Sequence, residues 1–324
     1  MTHTTPTVLA YDHRAHPHHR LCRTITWIAL IGWFCYVVTG VQWHVSQGPA
    51  IPSSVTPYSF AWFNTLAIIA YVYYGWPLAC LLGSVAAIRF LLRPHDTRFL
   101  RTACWVTLAF VTYDVIRAVV AYAFILATGQ DLPLESYVSW LNLVLLIPFT
   151  FNRAIPVLLL LNFTRPASRI TADKLVAIAL VLSALAILLN MLLIFLSPED
   201  LLPLTPIGRI DGLRRLIEFL LSLHPFAEQL IGIAIAMLAT AHLLRRSWAS
   251  RWLFRVITAQ LVLLLLSELA SFVLVNWDTL PRLAAGHSFN VVAHLSYYFS
   301  NYSAQFHLHA TASCAWFVFR PGQK

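Results

Sequence analysis

Apolar residues gather along this chain in eight long blocks, near 25–43, 60–88, 102–127, 137–162, 175–197, 215–243, 253–276 and 289–319. A helix needs about 20 apolar residues to cross a hydrocarbon core of ~30 Å. The pattern therefore predicts an all-α integral membrane protein with eight transmembrane helices. Several blocks exceed the minimum, which permits tilt or kinks without specifying either. The first block is too long for a signal peptide and lacks a convincing cleavage site, so it is expected to stay. Three regions follow: a basic, histidine-rich tail over 1–24, a first four-helix half over 25–166 and a second over 174–321.

Composition sharpens the class. Charged residues make up 11% of the 324 residues and hydrophobic ones 59%, at a mean hydropathy of +0.71. Soluble domains carry roughly a quarter charged residues, so no room remains for one. The expected partners are the lipid bilayer, other membrane subunits, or a small solute or ion.

The net charge of +9 would suggest nucleic acid if it were clustered on one surface. Instead it alternates with the predicted loops. Arg14, Arg20 and Arg23 precede the first block, and Arg89, Arg93, Arg98 and Arg101 flank the second loop. Arg165, Arg169 and Lys174 follow the fourth block, Arg245, Arg246, Arg251 and Arg255 the sixth, and Arg320 and Lys324 the last. The opposite loops hold Arg209, Arg214, Arg215 and Arg282 against Asp131, Glu135, Glu199, Asp200, Asp211 and Asp278. The positive-inside bias then puts both termini in the cytoplasm. Arginine far exceeds lysine, which suits a high-GC bacterial inner membrane. Basicity is a topology signal here, and nucleic acid is not an expected partner.

Trp43, Trp62, Trp140 and Trp277 fall at predicted outer ends, and Trp248 and Trp252 at an inner one, as interfacial anchors do. Cys22, Cys35, Cys80, Cys104 and Cys314 lie in or beside apolar blocks, and no CxxC occurs, so neither a disulfide framework nor a zinc site is expected.

The halves echo one another. Ile-Ala-Leu recurs at 28–30 and 178–180, and Leu-Leu-Arg at 91–93 and 243–245. Asp114 aligns with Glu268, Phe151-Asn152 with Phe306-His307, and Arg165-Pro166 with Arg320-Pro321. Offsets drift only from 150 to 155. Such self-similarity suggests two parallel four-helix repeats, related by an axis along the membrane normal.

Ionisable residues inside the blocks are the candidate site, because charge in hydrocarbon is costly and usually faces protein or water. At 1.5 Å per residue from the nearest basic edge, Asp114, Glu268 and His307 each lie about 20 Å deep, and Arg153 roughly 18 Å. Arg117, Asn190 and Glu228 lie about 24–25 Å deep. Six of the eight blocks thus send a polar group to one layer. Asp114 and Arg117 can bridge at i,i+3, with Arg153 taking Glu268 or Glu228. With histidine neutral, three acids face two bases, leaving one carboxylate for a proton, a cation or water. Pro148 and Pro156 flank Arg153 and are expected to kink its helix.

His307 and His309 point about 200° apart on a helix and do not chelate one metal together. His307 is expected to bond across helices to the layer, with His309 facing elsewhere. No other histidine matches the depth of His307, which leaves a haem with one axial ligand or a quinone as the cofactors to consider. His224 and Glu228 share a face at i,i+4, behind Glu218 and beside Pro225. They suit either two metal ligands, a proton relay, or local hydrogen bonding. The tail histidines His13, His16, His18 and His19 sit among arginines and suit anionic lipid better than metal. Retinal is excluded, since Lys174 and Lys324 are the only lysines and neither is mid-helix. The triplets at Asn162 and Asn301 are badly placed for glycans. HExxH, Walker, Rossmann and GxSxG patterns are absent.

The leading expectation is a small-solute or ion transporter, proton-coupled, with its site at the layer. Asp114, Glu228 and Glu268 would carry protons or cations, Arg117 and Arg153 would pair charges or hold an anionic group, and His307 would relay protons. The alternatives are a membrane subunit of a redox complex binding quinone or haem, and a non-catalytic sensor or accessory subunit.

Overall fold

The computed structural model describes residues 17–46, 55–94, 97–129, 153–164, 171–196, 212–276 and 310–321. Their regular structure is helical throughout, with no strand among the described residues. The helices are α1 (Pro17–Ser46), α2 (Phe60–Ile69), α3 (Trp76–Leu92), α4 (Thr97–Thr128) and α5 (Arg153–Phe163). They continue with α6 (Ala172–Leu196), α7 (Gly212–Leu243), α8 (Ala249–Asn276) and α9 (Ala310–Phe319).

Among the described residues, four stretches are long and apolar enough to cross a membrane: Arg20–Val41, Phe60–Leu92, Thr97–Thr128 and Ala249–Leu274. Their surfaces agree with that. Leu78, Leu81, Val85, Ile88 and Leu92 line one exposed face of α3, and Leu265, Leu266, Leu269 and Phe272 one face of α8. Contiguous apolar stripes of this size in water would mark an interaction surface; in a helical membrane protein they meet lipid. Three buried hydroxyls are satisfied on their own helices. Thr26 donates to the Cys22 carbonyl at 2.8 Å, Ser84 to Cys80 at 2.9 Å and Thr107 to Ala103 at 2.9 Å. That local bonding lets polar side chains sit where no water reaches.

The stretch Phe60–Leu92 is one rod with a defect. Between α2 and α3 the chain forms a π-helical turn, Ala70–Gly75, and the Trp76 amide donates to the Tyr71 carbonyl, five residues back. Pro77 explains it: proline has no N–H for the Tyr73 carbonyl and its ring crowds that turn. The helix widens there instead of breaking. Such single π turns gather at functional sites, and this one carries Tyr71, Tyr73 and Tyr74.

Packing follows small residues. The inner face of α3 is built from Ala79, Cys80, Gly83, Ser84, Ala86 and Ala87, which lets neighbouring backbones approach closely. A Cβ on Gly83 would stand 2.5 Å from Trp33 Cδ2, and one on Gly40 2.5 Å from Pro77 Cγ. Helix α1 therefore lies directly on α3, and α3 packs in turn on α4. The same serial order recurs later in the chain, where α6 packs on α7 and α7 on α8. A tight turn enforces the last pairing. Arg245 takes a left-handed φ of 61°, its amide bonds the His242 carbonyl at 2.9 Å, and the Arg246 amide reaches Ala241 at 3.0 Å. These two bonds close α7 as a Schellman motif.

Helices α5 and α9 are buried on nearly all sides, as core helices are. Ile155, Leu159 and Leu160 from α5 and Cys314, Ala315 and Phe319 from α9 join one core with residues of α1, α3, α4, α6, α7 and α8. Burial in these elements recurs along the chain. Leu91-Leu92-Arg93 and Leu243-Leu244-Arg245 fix an offset of 152. At that offset Cys80, Gly83 and Ala87 meet Gly232, Ile235 and Ala239, all buried. Leu78, Leu81, Val85 and Leu92 meet Leu230, Ile233, Met237 and Leu244, all exposed. Between α5 and α9, at an offset of 155, Ile155, Pro156, Val157, Leu159 and Leu160 meet Ala310, Thr311, Ala312, Cys314 and Ala315, all buried.

Candidate functional site

On α4, Arg117 and Asp114 form the ion pair expected at i,i+3, at 3.2 Å, with both side chains mostly buried. Arg153 opens α5, half-buried, and no ion pair to a carboxylate is formed by it among the described residues. Its Nε is buried without a hydrogen-bond partner among the described residues, as is the hydroxyl of Tyr36 on α1. Both residues line a cavity of about 20 Å³, bordered also by Trp33, Trp76, Thr107 and Pro156. The guanidinium acts electrostatically on Tyr36, Tyr71 and Cys80, and the Asp114 carboxylate acts on Tyr71. Residues from α1, the π turn, α3, α4 and α5 therefore meet around Arg153.

Aromatic rings join that cavity to the surface. Tyr36 meets Trp76 edge-on at 5.5 Å, and Trp76 lies 6.1 Å from Tyr71. Tyr71 in turn lies 5.8 Å from Tyr113 and 6.3 Å from Phe110. Ala70, Tyr71, Ala109, Phe110 and Tyr113 line an open groove of about 300 Å³ on the apolar flank of the molecule. Gly75 sets this spacing, because a Cβ there would stand 2.5 Å from the Phe110 ring.

A second cluster joins α7 and α8. His224 acts electrostatically on both Glu228, one turn away on its own helix, and Glu268 on α8. The His224 Nε2 is buried without a hydrogen-bond partner among the described residues. Among the described residues no three histidines, cysteines or carboxylates are grouped to hold a metal ion. The unbroken helix Gly212–Leu243 runs through Pro225, and α5 through Pro156.

The layer read from depth alone thus resolves into two groups. Asp114, Arg117 and Arg153 gather with Tyr36 and Tyr71; Glu228 and Glu268 gather about His224. A bridge from Arg153 to Glu228 or Glu268 is not among the described ion pairs. His307, His309, Asn152, Pro148, Asn301, His13 and His16 lie outside the described residues, as do the side chains of His18, His19, Asn190, Glu218 and Pro225. Tyr36, Tyr71 and Trp76 were not singled out from the sequence. Of the three, Trp76 alone carried a signal, in Tyr-Tyr-Gly-Trp-Pro, 73–77, where a proline interrupts an apolar run.

A third grouping lies at the arginine-rich end. His242 Nε2 lies 3.2 Å from the Asp173 carboxylate, and its ring meets Phe319 edge-on at 5.1 Å. They border a cavity of about 350 Å³ with Ser247, Ser250, Arg251 and Arg320. Arginines at this end lie against aromatic rings, Arg320 over Trp316 at 5.3 Å and Arg255 over Trp252 at 5.0 Å, a geometry that suits a snorkelling interface. Trp248 and Trp252 are exposed there, as interfacial anchors should be.

Asp173 precedes the apolar block of α6, and its titration is informative. Burial alone would raise its carboxyl, but hydrogen bonds from Thr171 and His242, with the His242 charge, outweigh that and hold it low. A depressed carboxyl lends stability that is present above its unfolded pKa and lost as pH falls through the folded one. Asp173→Asn should therefore lower stability at neutral pH by roughly 0.2–1 kcal/mol, since the side chain is partly exposed. It should cost nothing once pH falls below the carboxylate range. Thermal unfolding of both proteins at neutral and acid pH checks this, and an equal deficit at both would refute it.

Comparison with family models, with curated proteins and with solved structures finds no match to this chain.

Proposed function

We propose that the chain is a proton-coupled transporter of a small anionic solute, crossing a bacterial inner membrane eight times with both termini cytoplasmic. The observation that carries this is the sign of the two clusters. Around Arg153, two arginines against Asp114 leave one positive charge among the described residues. Around His224, Glu228 and Glu268 supply two acids. A membrane layer that only neutralised itself would mix these charges; separated, one group suits an anion and the other a proton.

The matched burial of α3 with α7 and of α5 with α9 supports two parallel four-helix halves. In that arrangement Asp114 and Glu268 occupy equivalent positions, and the two clusters are the diverged sites of a duplicated unit. Substrate sites of repeat transporters lie where the repeats meet.

The test is flux in sealed proteoliposomes holding a pH dye, with voltage clamped by potassium and valinomycin. Gradients of chloride, nitrate, acetate and phosphate are imposed in turn. At least one should drive proton movement above that of protein-free vesicles; none doing so would overturn the reading. One observation favours a second reading, a quinone-binding redox subunit: the groove of about 300 Å³ beside Tyr71 has the apolar walls an isoprenoid tail needs. Quinone in an organic extract of the purified protein, in proportion to chain, would favour that reading over transport.

A further inference from the structure

The cavity at Arg153 has a definite size, and size decides what it can hold. A volume of about 20 Å³ exceeds the ~10–15 Å³ that one water-sized guest needs and falls far short of an organic substrate. Its two orphaned groups have one chemistry in common. Arg153 Nε can only donate a hydrogen bond, and the Tyr36 hydroxyl is a donor with no acceptor of its own. Thr107 has already committed its proton to the Ala103 carbonyl. Buried donors left unmet are costly, and a half-buried guanidinium with no ion pair to a carboxylate among the described residues adds to that cost. A guest that accepts both bonds and carries negative charge relieves all three penalties.

We infer that Arg153 and Tyr36, bordered by Trp33, Trp76 and Pro156, form a binding site for one monoatomic anion of halide size. The low polarity of the walls strengthens the attraction to Arg153, and the small volume favours a halide over sulfate or phosphate. The π turn serves this site by carrying the chain past Pro77 while Trp76 stays against Tyr36. This inference shares Arg153 with the transport reading, but equilibrium binding tests it apart from flux.

The experiment uses the full chain in nanodiscs, with radiolabelled chloride as the probe. Saturable binding of one chloride per chain is expected, displaced by bromide and not by sulfate at equal ionic strength. Tyr36→Phe removes one donor and keeps the ring, so affinity should fall by about tenfold, the scale of one hydrogen bond to a charged partner. Arg153→Gln should abolish binding; if that variant fails to fold, Tyr36→Phe decides alone. Absence of saturable binding in the unmodified chain would mean that water fills the cavity and would overturn the site, as would binding indifferent to Tyr36→Phe. Chloride binding without any flux would defeat the transport reading and leave the site standing. Anion-driven proton flux without halide binding would defeat the site alone.

Discussion

Gly83→Val should destabilise the protein by ~1–3 kcal/mol or more, the range for forcing extra carbon into a filled core. The added Cβ would lie 2.5, 2.6 and 2.9 Å from three ring atoms of Trp33. Trp33 cannot retreat freely, because it is buried at 4% exposure and also walls the Arg153 cavity. Either α1 separates from α3, or the indole is driven toward Arg153. The first outcome lowers the unfolding temperature; the second also removes the space for a guest. Pairing Gly83→Ala with Trp33→Phe should recover part of the loss, since contacting residues couple by 0.5–3 kcal/mol. An unchanged unfolding temperature in Gly83→Val would show that the two helices do not meet at this glycine.

The contrast between α3 and the charged layer shows what a sequence of this kind discloses. Apolar run length depends on one segment meeting one medium, so the four long apolar helices among the described residues could be read directly. The Asp114–Arg117 pair was equally legible, because i,i+3 spacing on a helix fixes the contact without reference to any other element. Depth also placed Arg153, Glu228 and Glu268 at a common level. It could not say which of them meet, because lateral neighbours depend on how each helix is rotated about its axis. That rotation is set by packing such as Gly83 against Trp33 and Gly75 against Phe110. The π turn escaped for a related reason. Pro77 announces a disturbed helix, but break, kink and widened turn share that signature. Tyr36 escaped because a tyrosine in an apolar block is ordinary; only the cavity makes its hydroxyl conspicuous.

Glu268→Gln should cost proton coupling while leaving the fold intact. Glutamine matches glutamate in size and keeps its carbonyl acceptor, so packing between α7 and α8 is preserved. What it lacks is a proton to release. The same holds for Glu228, which faces His224 from the same cluster. If the layer were only a set of structural salt bridges, neutralising either acid would change stability and nothing else. If it is a working site, the readout is flux. The decisive measurement is therefore proton movement into sealed proteoliposomes under the anion gradient that drives it best, compared among the unmodified chain, Glu228→Gln and Glu268→Gln at matched thermal stability. Flux should fall roughly a hundredfold in at least one variant, the scale on which a positioned proton carrier acts, and its pH dependence should flatten. Full flux with an unchanged pH profile in both variants would contradict the account.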